Sequence, residues 1–331
     1  MAVLFRLLNV SRVAIAYIST GLLAASIHTV QAQDYPNRPI KIIVPYGAGG
    51  AVDAIGRTLA QELTQRLGQP VIVENKTGAG SNVGSTFVAK APADGYTLLL
   101  TSPGNAINVT LFKTMPYNVK SELTQVAVVG QAPGILLVHP SFPANNVKEF
   151  VAMAKKAPGT LNFGSGGPGS SEHLSAEMFK MLAGIDMAHV PYKGGSAAMN
   201  DLLAGHVQAF FTNQTNAIGQ IKGNVVKVIA LAAPQRSSLL PNVPTFEEQG
   251  YPEQQVSVWW GIAAPARTPT AVLDLLNKTI VAAGASIAMK QRLSEMGAES
   301  ISTTRVQANT FLNEEILRWG HVVKSANAQV D

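Results

Sequence analysis

The sequence predicts an α/β protein assembled from two sets of strands and helices. Three observations carry that expectation. Short apolar runs of strand length alternate with segments whose apolar residues recur at helical spacing. Glycine-rich turns join the two kinds of segment. The alternation breaks near residue 130, restarts, and ends in three helices. Alternation with short loops implies parallel strands with helices on both faces.

Residues 1–32 stand apart from this pattern. Arg6 and Arg12 make a basic start, Val13 to Ile27 is mostly apolar, and Val30-Gln31-Ala32 has the small-residue form of a signal-peptidase site. This reads as an export signal cleaved near Ala32. Tyr17, Ser19 and Thr20 interrupt the apolar run, which is short for a membrane span.

Ile40–Val44 is a buried-strand run, and Val52, Ile55, Leu59, Leu63 and Leu67 then mark one face of a helix. Val71–Asn75 reads as a strand, Asn82–Lys90 as a helix and Thr97–Thr101 as a strand. Val126–Pro140 holds two apolar runs around Gln131-Ala132-Pro133-Gly134, which suggests a chain crossing from one domain to another. Beyond it, Val147–Ala157, Ser171–Leu182 and Ala197–Leu203 are helical in pattern. Leu161–Phe163, Ala188–Pro191, Val207–Phe211 and Val226–Ala233 are strands. Val256–Pro265 has the character of a return crossing, and Thr270–Ala283, Ser286–Met296 and Arg305–Ser325 close the chain as helices. The expected domains are 33–130 with 260–331, and 131–259.

Composition narrows the function. Without the signal, 23 Lys+Arg face 20 Asp+Glu. So small an excess, with no basic run interleaved with aromatics, does not point to nucleic acid. It does suit a small anionic ligand. The chain has no cysteine, so disulfides, thiolate zinc sites, cysteine nucleophiles and lipoprotein anchoring are excluded. An exported chain of this kind fits the bacterial periplasm.

Several loops carry candidate chemistry. Tyr46, Gly47, Ala48, Gly49 and Gly50 join a strand to a helix, and such a turn can aim successive N–H groups into one concavity. The adjoining helix start adds its unpaired amides and positive dipole end. No Lys-Ser/Thr follows, so the acceptor is better read as a carboxylate than as a nucleotide phosphate. Asp53 lies in the first helical turn, either as a ligand group or as a complement to the dipole.

The second loop contains Gly164, Gly166 and Gly169 in the G-x-G-x-x-G pattern, but mid-chain in an exported protein, where a dinucleotide cofactor is not expected. Ser165, Ser170 and Ser171 add hydroxyl donors, one of which also suits a helix N-cap. A periplasmic serine hydrolase using Ser170 or Ser171 with His173 is the alternative reading. No serine sits in G-x-S-x-G, which argues against it. No histidine spacing suggests a zincin-type metal site. The third loop brings Tyr192, Lys193 and Gly194. Ser102, Asn105, Thr212 and Asn213 lie at or just beyond the carboxyl ends of strands, where open α/β sheets bind ligands. The constellation describes a binding cleft without bond-breaking machinery, needing neither metal nor cofactor.

Long blocks of the chain resemble the Bug (Bordetella uptake gene) family, the periplasmic receptors of tripartite tricarboxylate transporters. They include YPNRPIKIIVPYGAGGAVDAIGR, SGGPGSSEHLSAEMFK and VPYKGGSAAMNDLLAGHV. The resemblance implies a type II periplasmic-binding-protein fold, two α/β domains closing about two crossing strands. It implies that Tyr46 to Gly50 hold one carboxylate through backbone amides. It adds Ser165, Gly166, Ser170, His173, Tyr192, Lys193 and Gly194 from the second domain. It also implies a receptor that passes its cargo to membrane permease subunits. A monomer is expected, and a third reading, a sensor partner for a membrane kinase, uses the same cleft. Phe211-Thr212-Asn213 stands where family members often read Phe-Asp-Asn, and the missing acid weighs against an amino-acid cargo.

Overall fold

A computed structural model describes residues 35–330, which from Pro36 onward form one compact unit. The export signal lies outside the described residues.

Among the described residues, ten strands form one continuous sheet. Its first part holds β1 (Ile40–Val44), β2 (Val71–Asn75) and β3 (Thr97–Thr101), with β1 central and parallel to both neighbours. Its far part holds β5 (Asn162–Ser165), β6 (Ala188–Pro191) and β7 (Ala209–Asn213), with β5 central and parallel to both. Between them run β4 (Leu123–Val138) and β9 (Ser257–Pro265), antiparallel to each other. The order is β2-β1-β3-β9-β4-β7-β5-β6, with β8 (Lys227–Ala232) and the short β10 (Glu299–Ser300) also paired to β4.

The expectation of parallel sheets therefore holds within each end and fails in the middle. A strand that leaves one set and a strand that returns to it must run in opposite directions, so the connecting pairs are antiparallel.

The stretch around Gln131–Gly134 is not a loop. β4 passes through it unbroken and changes partners there. Up to Pro133 it pairs with β9, and from Gly134 to Val138 it pairs with β7 and β8. Pro133 has no N–H to donate. Gly134 is required for packing: a Cβ there would stand 2.7 Å from the Val256 carbonyl oxygen, which accepts the Gly134 amide at the same distance.

Helices cover the sheet. α1 (Ala51–Leu67) buries Ile55, Leu59 and Leu63, the stripe its periodicity announces, and ends on a left-handed Gly68. α2 (Asn82–Ala89), α4 (Val147–Lys156), α5 (Ser171–Ala183), α6 (Gly195–Leu203), α8 (Thr270–Gly284) and α9 (Ile287–Glu295) fall close to their expected places. α3 (Pro103–Leu111) and α7 (Gln214–Lys222) were not legible as helices, since both are short and rich in small or polar residues.

The C-terminal helix α10 (Arg305–Ser325) packs on α3, β4 and α5. At its centre, buried Glu315 accepts hydrogen bonds from the indoles of Trp259 on β9 and Trp319, at 2.8 and 3.0 Å, and pairs with Arg318. Trp259, Trp319, Phe150, Phe163, Phe179 and Phe211 anchor a shared core. Each such burial is worth roughly 1.5–3 kcal/mol.

Candidate functional site

A cleft of about 700 Å³ opens between the carboxyl ends of the two parallel strand sets. Residues from both ends of the sheet line it, with Val258 and Trp260 of β9 between them. Trp260 is buried, and its indole N–H has no partner among the described residues.

Five helices begin at this cleft. Ala51 and Val52 open α1, and Pro103 and Gly104 open α3 after the N-cap Ser102. Ser171 and Glu172 open α5 after Ser170, and Gly195 opens α6 after Gly194. Asn213 caps α7, with Asn216 one turn in. Each N-terminus presents unpaired amides and a partial positive charge. The lining residues include no Lys, Arg or His, and Glu172 is their one charged side chain. The weak excess of cations in the composition is thus not located here. Attraction for an anion comes from the backbone.

The loop after β1 is held by a side-chain network. Asp53, almost wholly buried, accepts from the Gly49 amide and from Arg57 Nε, both at 2.9 Å, and from Asn75 Nδ2 at 2.9 Å. Asn75 Nδ2 also donates to the Tyr46 carbonyl at 3.0 Å. The Arg57 bond is the main reason the Asp53 carboxyl titrates low, at about 2. Its oxygens face the loop, so the structure places Asp53 as the loop's brace. Gly47, Ala48 and Gly50 are exposed, and their amides bond to nothing among the described residues.

The Tyr46 hydroxyl reaches Ser102 Oγ at 2.8 Å, and both residues line the cleft. Burial raises the Tyr46 pKa. Asn105 lies underneath: its Oδ1 accepts from the Ser102 amide at 3.0 Å and its Nδ2 donates to Ser85 Oγ at 2.9 Å. It fixes the start of α3 without lining the cleft. Nearby, Gly78 to Ser81 all have positive φ, including Ala79 at 45° and Ser81 at 87°, an uncommon backbone for residues with a Cβ. Asn108 Nδ2 secures that turn through the Gly80 carbonyl at 2.7 Å.

In the second loop the predicted residues separate into lining and support. Gly166 and Ser170 line the cleft, whereas Ser165 and His173 stand behind it. Ser165 Oγ lies 2.6 Å from His189 Nε2 and takes the Gly167 amide at 3.0 Å. His173 Nδ1 accepts from the Gly169 amide at 3.1 Å and stacks on His189, with ring centres 4.1 Å apart. Burial, then the neighbouring His173, push the His189 pKa down to about 4. Burial also lowers that of His173. Ser170 Oγ accepts from the backbone N–H of His173 at 3.3 Å, the bond of an N-cap. The His173 ring is directed to Gly169.

In the third loop Gly194 lines the cleft, Lys193 is exposed, and Tyr192 turns its hydroxyl to Asp201 on α6 at 2.5 Å. Thr212 is buried beneath Asn216, whose Nδ2 lies 3.4 Å from its hydroxyl. Glu172, Asn216, Val258 and Trp260 escaped the sequence reading. None lies in a glycine loop, and only the fold turns them toward one space.

Residues 55–328 match the family model described as the tripartite tricarboxylate transporter family receptor. The chain belongs to that family. Protein BugT of Bordetella pertussis is 37% identical over 316 residues, covering 95% of this chain and 96% of that one. Among solved structures, R. palustris Rpa4515 with adipate superposes with a TM-score of 0.80 at 32% identity, covering 90% of this chain and all of that one. MatC (Rpa3494) from Rhodopseudomonas palustris with bound malate gives 0.75 at 31% identity, covering 87% of this chain and all of that one. The fold is that of the family's periplasmic binding proteins, and the family is one of solute receptors, not enzymes. With Ser170 engaged as a helix cap, the hydrolase reading is set aside.

Proposed function

We propose that the chain is exported, loses its signal near Ala32, and captures a small carboxylate in the cleft between the two strand sets. The observation that carries this reading is the convergence of five helix N-termini on a space lined by no basic side chain. Such a site holds an anion by preformed dipoles without a permanent counter-ion. Ser102 and Ser170 line the cleft and, with the unpaired amides of Gly47, Ala48 and Gly50 in the loop between the lining residues Tyr46 and Ala51, are the donors assigned to it. That the relatives Rpa4515 and MatC were solved with adipate and malate supports the same ligand class.

The two bodies that close on the cargo are residues 33–130 with 260–331, and 131–259. They hinge on β4 and β9. The change of partners at Pro133–Gly134 supports that division. The receptor acts as a monomer and passes its cargo to the permease subunits of a tripartite transporter, or reports it to a sensor kinase.

Calorimetric titration of protein stripped of carried-over ligand with mono-, di- and tricarboxylates and aromatic acids tests this. At least one tight binder is expected, with a fall in radius of gyration by small-angle scattering on saturation. Silence across the panel would remove the reading.

A further inference from the structure

Gly169, in the turn after β5, touches the opposite strand set across the cleft. A Cβ added to it would stand 2.5 Å from Leu111 Cδ1, so the turn rests directly on the end of α3. Leu111 is buried and fixed from its own side, its carbonyl accepting the Val330 amide at 2.7 Å. Gly169 is fixed from behind. Its φ is 74°, and its amide donates to His173 Nδ1. The Gly167 amide donates to Ser165 Oγ, which lies against His189 Nε2. Both glycine amides of the turn are therefore held by one pair of stacked imidazoles, one directly and one through a hydroxyl.

A ring nitrogen that accepts an amide N–H is unprotonated. A proton on His173 Nδ1 would set N–H against N–H and break the bond to Gly169. It would also place a cation in the first turn of α5, at the positive end of that helix. Two rings 4.1 Å apart resist a second charge.

The surroundings offer the cation little. Phe163 of β5 stacks on both rings. On α5, Glu177 Oε1 lies 4.0 Å from His173 Nε2, but Lys180 holds that carboxylate at 3.0 Å and also reaches Asp186, in the turn before β6. Glu172, beside His173 in sequence, has its carboxyl near Gly166 and Gly195. Burial and then Lys180 lower the His173 pKa, as suits a ring whose neutral form does the holding.

We propose that His173 is a positioning residue that seats the Gly167–Gly169 turn against Leu111 for closure of the cleft, and that the seat opens when the imidazole pair takes up a proton. This rests on the reading of the chain as a receptor that closes on a carboxylate, and adds to it release by acid. The seated turn favours the neutral ring. Its contribution is complete above about 6.5, the ordinary value of a free imidazole, and is lost as pH falls through the lowered value.

The test compares stripped wild-type protein with His173→Asn, whose amide oxygen can accept the Gly169 N–H but does not titrate, and His173→Leu, which cannot accept it. In protein labelled with 15N-histidine and 15N-glycine, the Gly169 amide resonance should move with the same midpoint as His173. In His173→Asn it should stay in place. Calorimetry uses acetate, malate, adipate, citrate and benzoate. At neutral pH, His173→Leu should bind the tightest of them roughly tenfold more weakly, and His173→Asn should recover most of that loss. Below the midpoint, wild-type affinity should fall by up to about tenfold per pH unit beyond any fall in His173→Asn. Titration of the probe, Glu172 and Glu177 is common to both proteins and drops out of the difference. Circular dichroism confirms folding at each pH.

A Gly169 amide that does not titrate with His173, or an affinity that falls equally in wild type and His173→Asn, overturns the inference and leaves the receptor reading standing. Should none of the five acids bind, or a variant fail to fold, the wild-type resonance titration decides by the same criterion. Silence across the wider acid panel removes the receptor reading and this inference with it.

Discussion

The hydroxyl of Tyr46 lies 2.8 Å from that of Ser102, tying the loop after β1 to the N-cap of α3. Two helix starts that face one cleft are thereby held in fixed relation. Tyr46→Phe deletes that bond and keeps the ring. A neutral hydrogen bond is worth about 1 kcal/mol net. Affinity for the best carboxylate should fall about fivefold, with a similar small loss of stability. Calorimetry and thermal unfolding read the two effects. Unchanged affinity would show that the two starts need no tether.

Gly49 has φ of 84° and open space where a Cβ would be. A side chain there meets no clash in the unliganded loop. Its cost is conformational, about 1–2 kcal/mol, and it projects into the space beside the free amides. Gly49→Val should abolish measurable binding while the fold persists. Gly49→Asn, which tolerates positive φ, should retain part of the affinity. Full binding by Gly49→Val would take the loop out of the site.

His189 carries the clearest pH signature. Its pKa in the fold is about 4, below the roughly 6.5 of a free imidazole. The unfolded chain therefore takes up the proton first as pH falls. The stabilisation is complete above about 6.5 and is lost as pH drops toward 4. Denaturant titrations across that range should show stability declining, and His189→Gln should flatten the decline. The variant also tests Ser165, which leans on this ring at 2.6 Å.

Glu315 links Trp259 of the returning strand to Trp319 of the last helix. Glu315→Ala leaves two buried indole donors and Arg318 without their acceptor. Breaking a buried charged group away from its partners costs about 3 kcal/mol or more. A large drop in denaturation midpoint is expected, with ligand affinity little changed in the protein that remains folded, because none of these residues lines the cleft. A selective loss of binding at unchanged stability would contradict that assignment.

Much of the fold was legible from residue order. Ile55, Leu59 and Leu63 show a helix face by their spacing alone, and short apolar runs such as Ile40–Val44 show strands. The glycine loops are equally local, since a tight strand-to-helix turn writes itself into neighbouring residues. α3 was missed because Pro-Gly-Asn-Ala reads as a turn until Asn105 is seen bonding back to the Ser102 amide. β4 was read as two runs because Pro133 and Gly134 normally interrupt a strand, and only its change of partners explains why they do not.

What the sequence determined by itself is the class of protein: α/β alternation, and glycine turns that follow strands in both halves. Those are short-range properties, set by the period of the apolar pattern and by residues that lack a Cβ. The tertiary structure alone decided which groups share the cleft. It set Asp53, Asn105, Ser165 and His173 behind the loops as supports, brought five helix starts together, and turned Glu172 into their midst. Such convergence depends on the twist and pairing of strands far apart in the chain, and no local pattern records it.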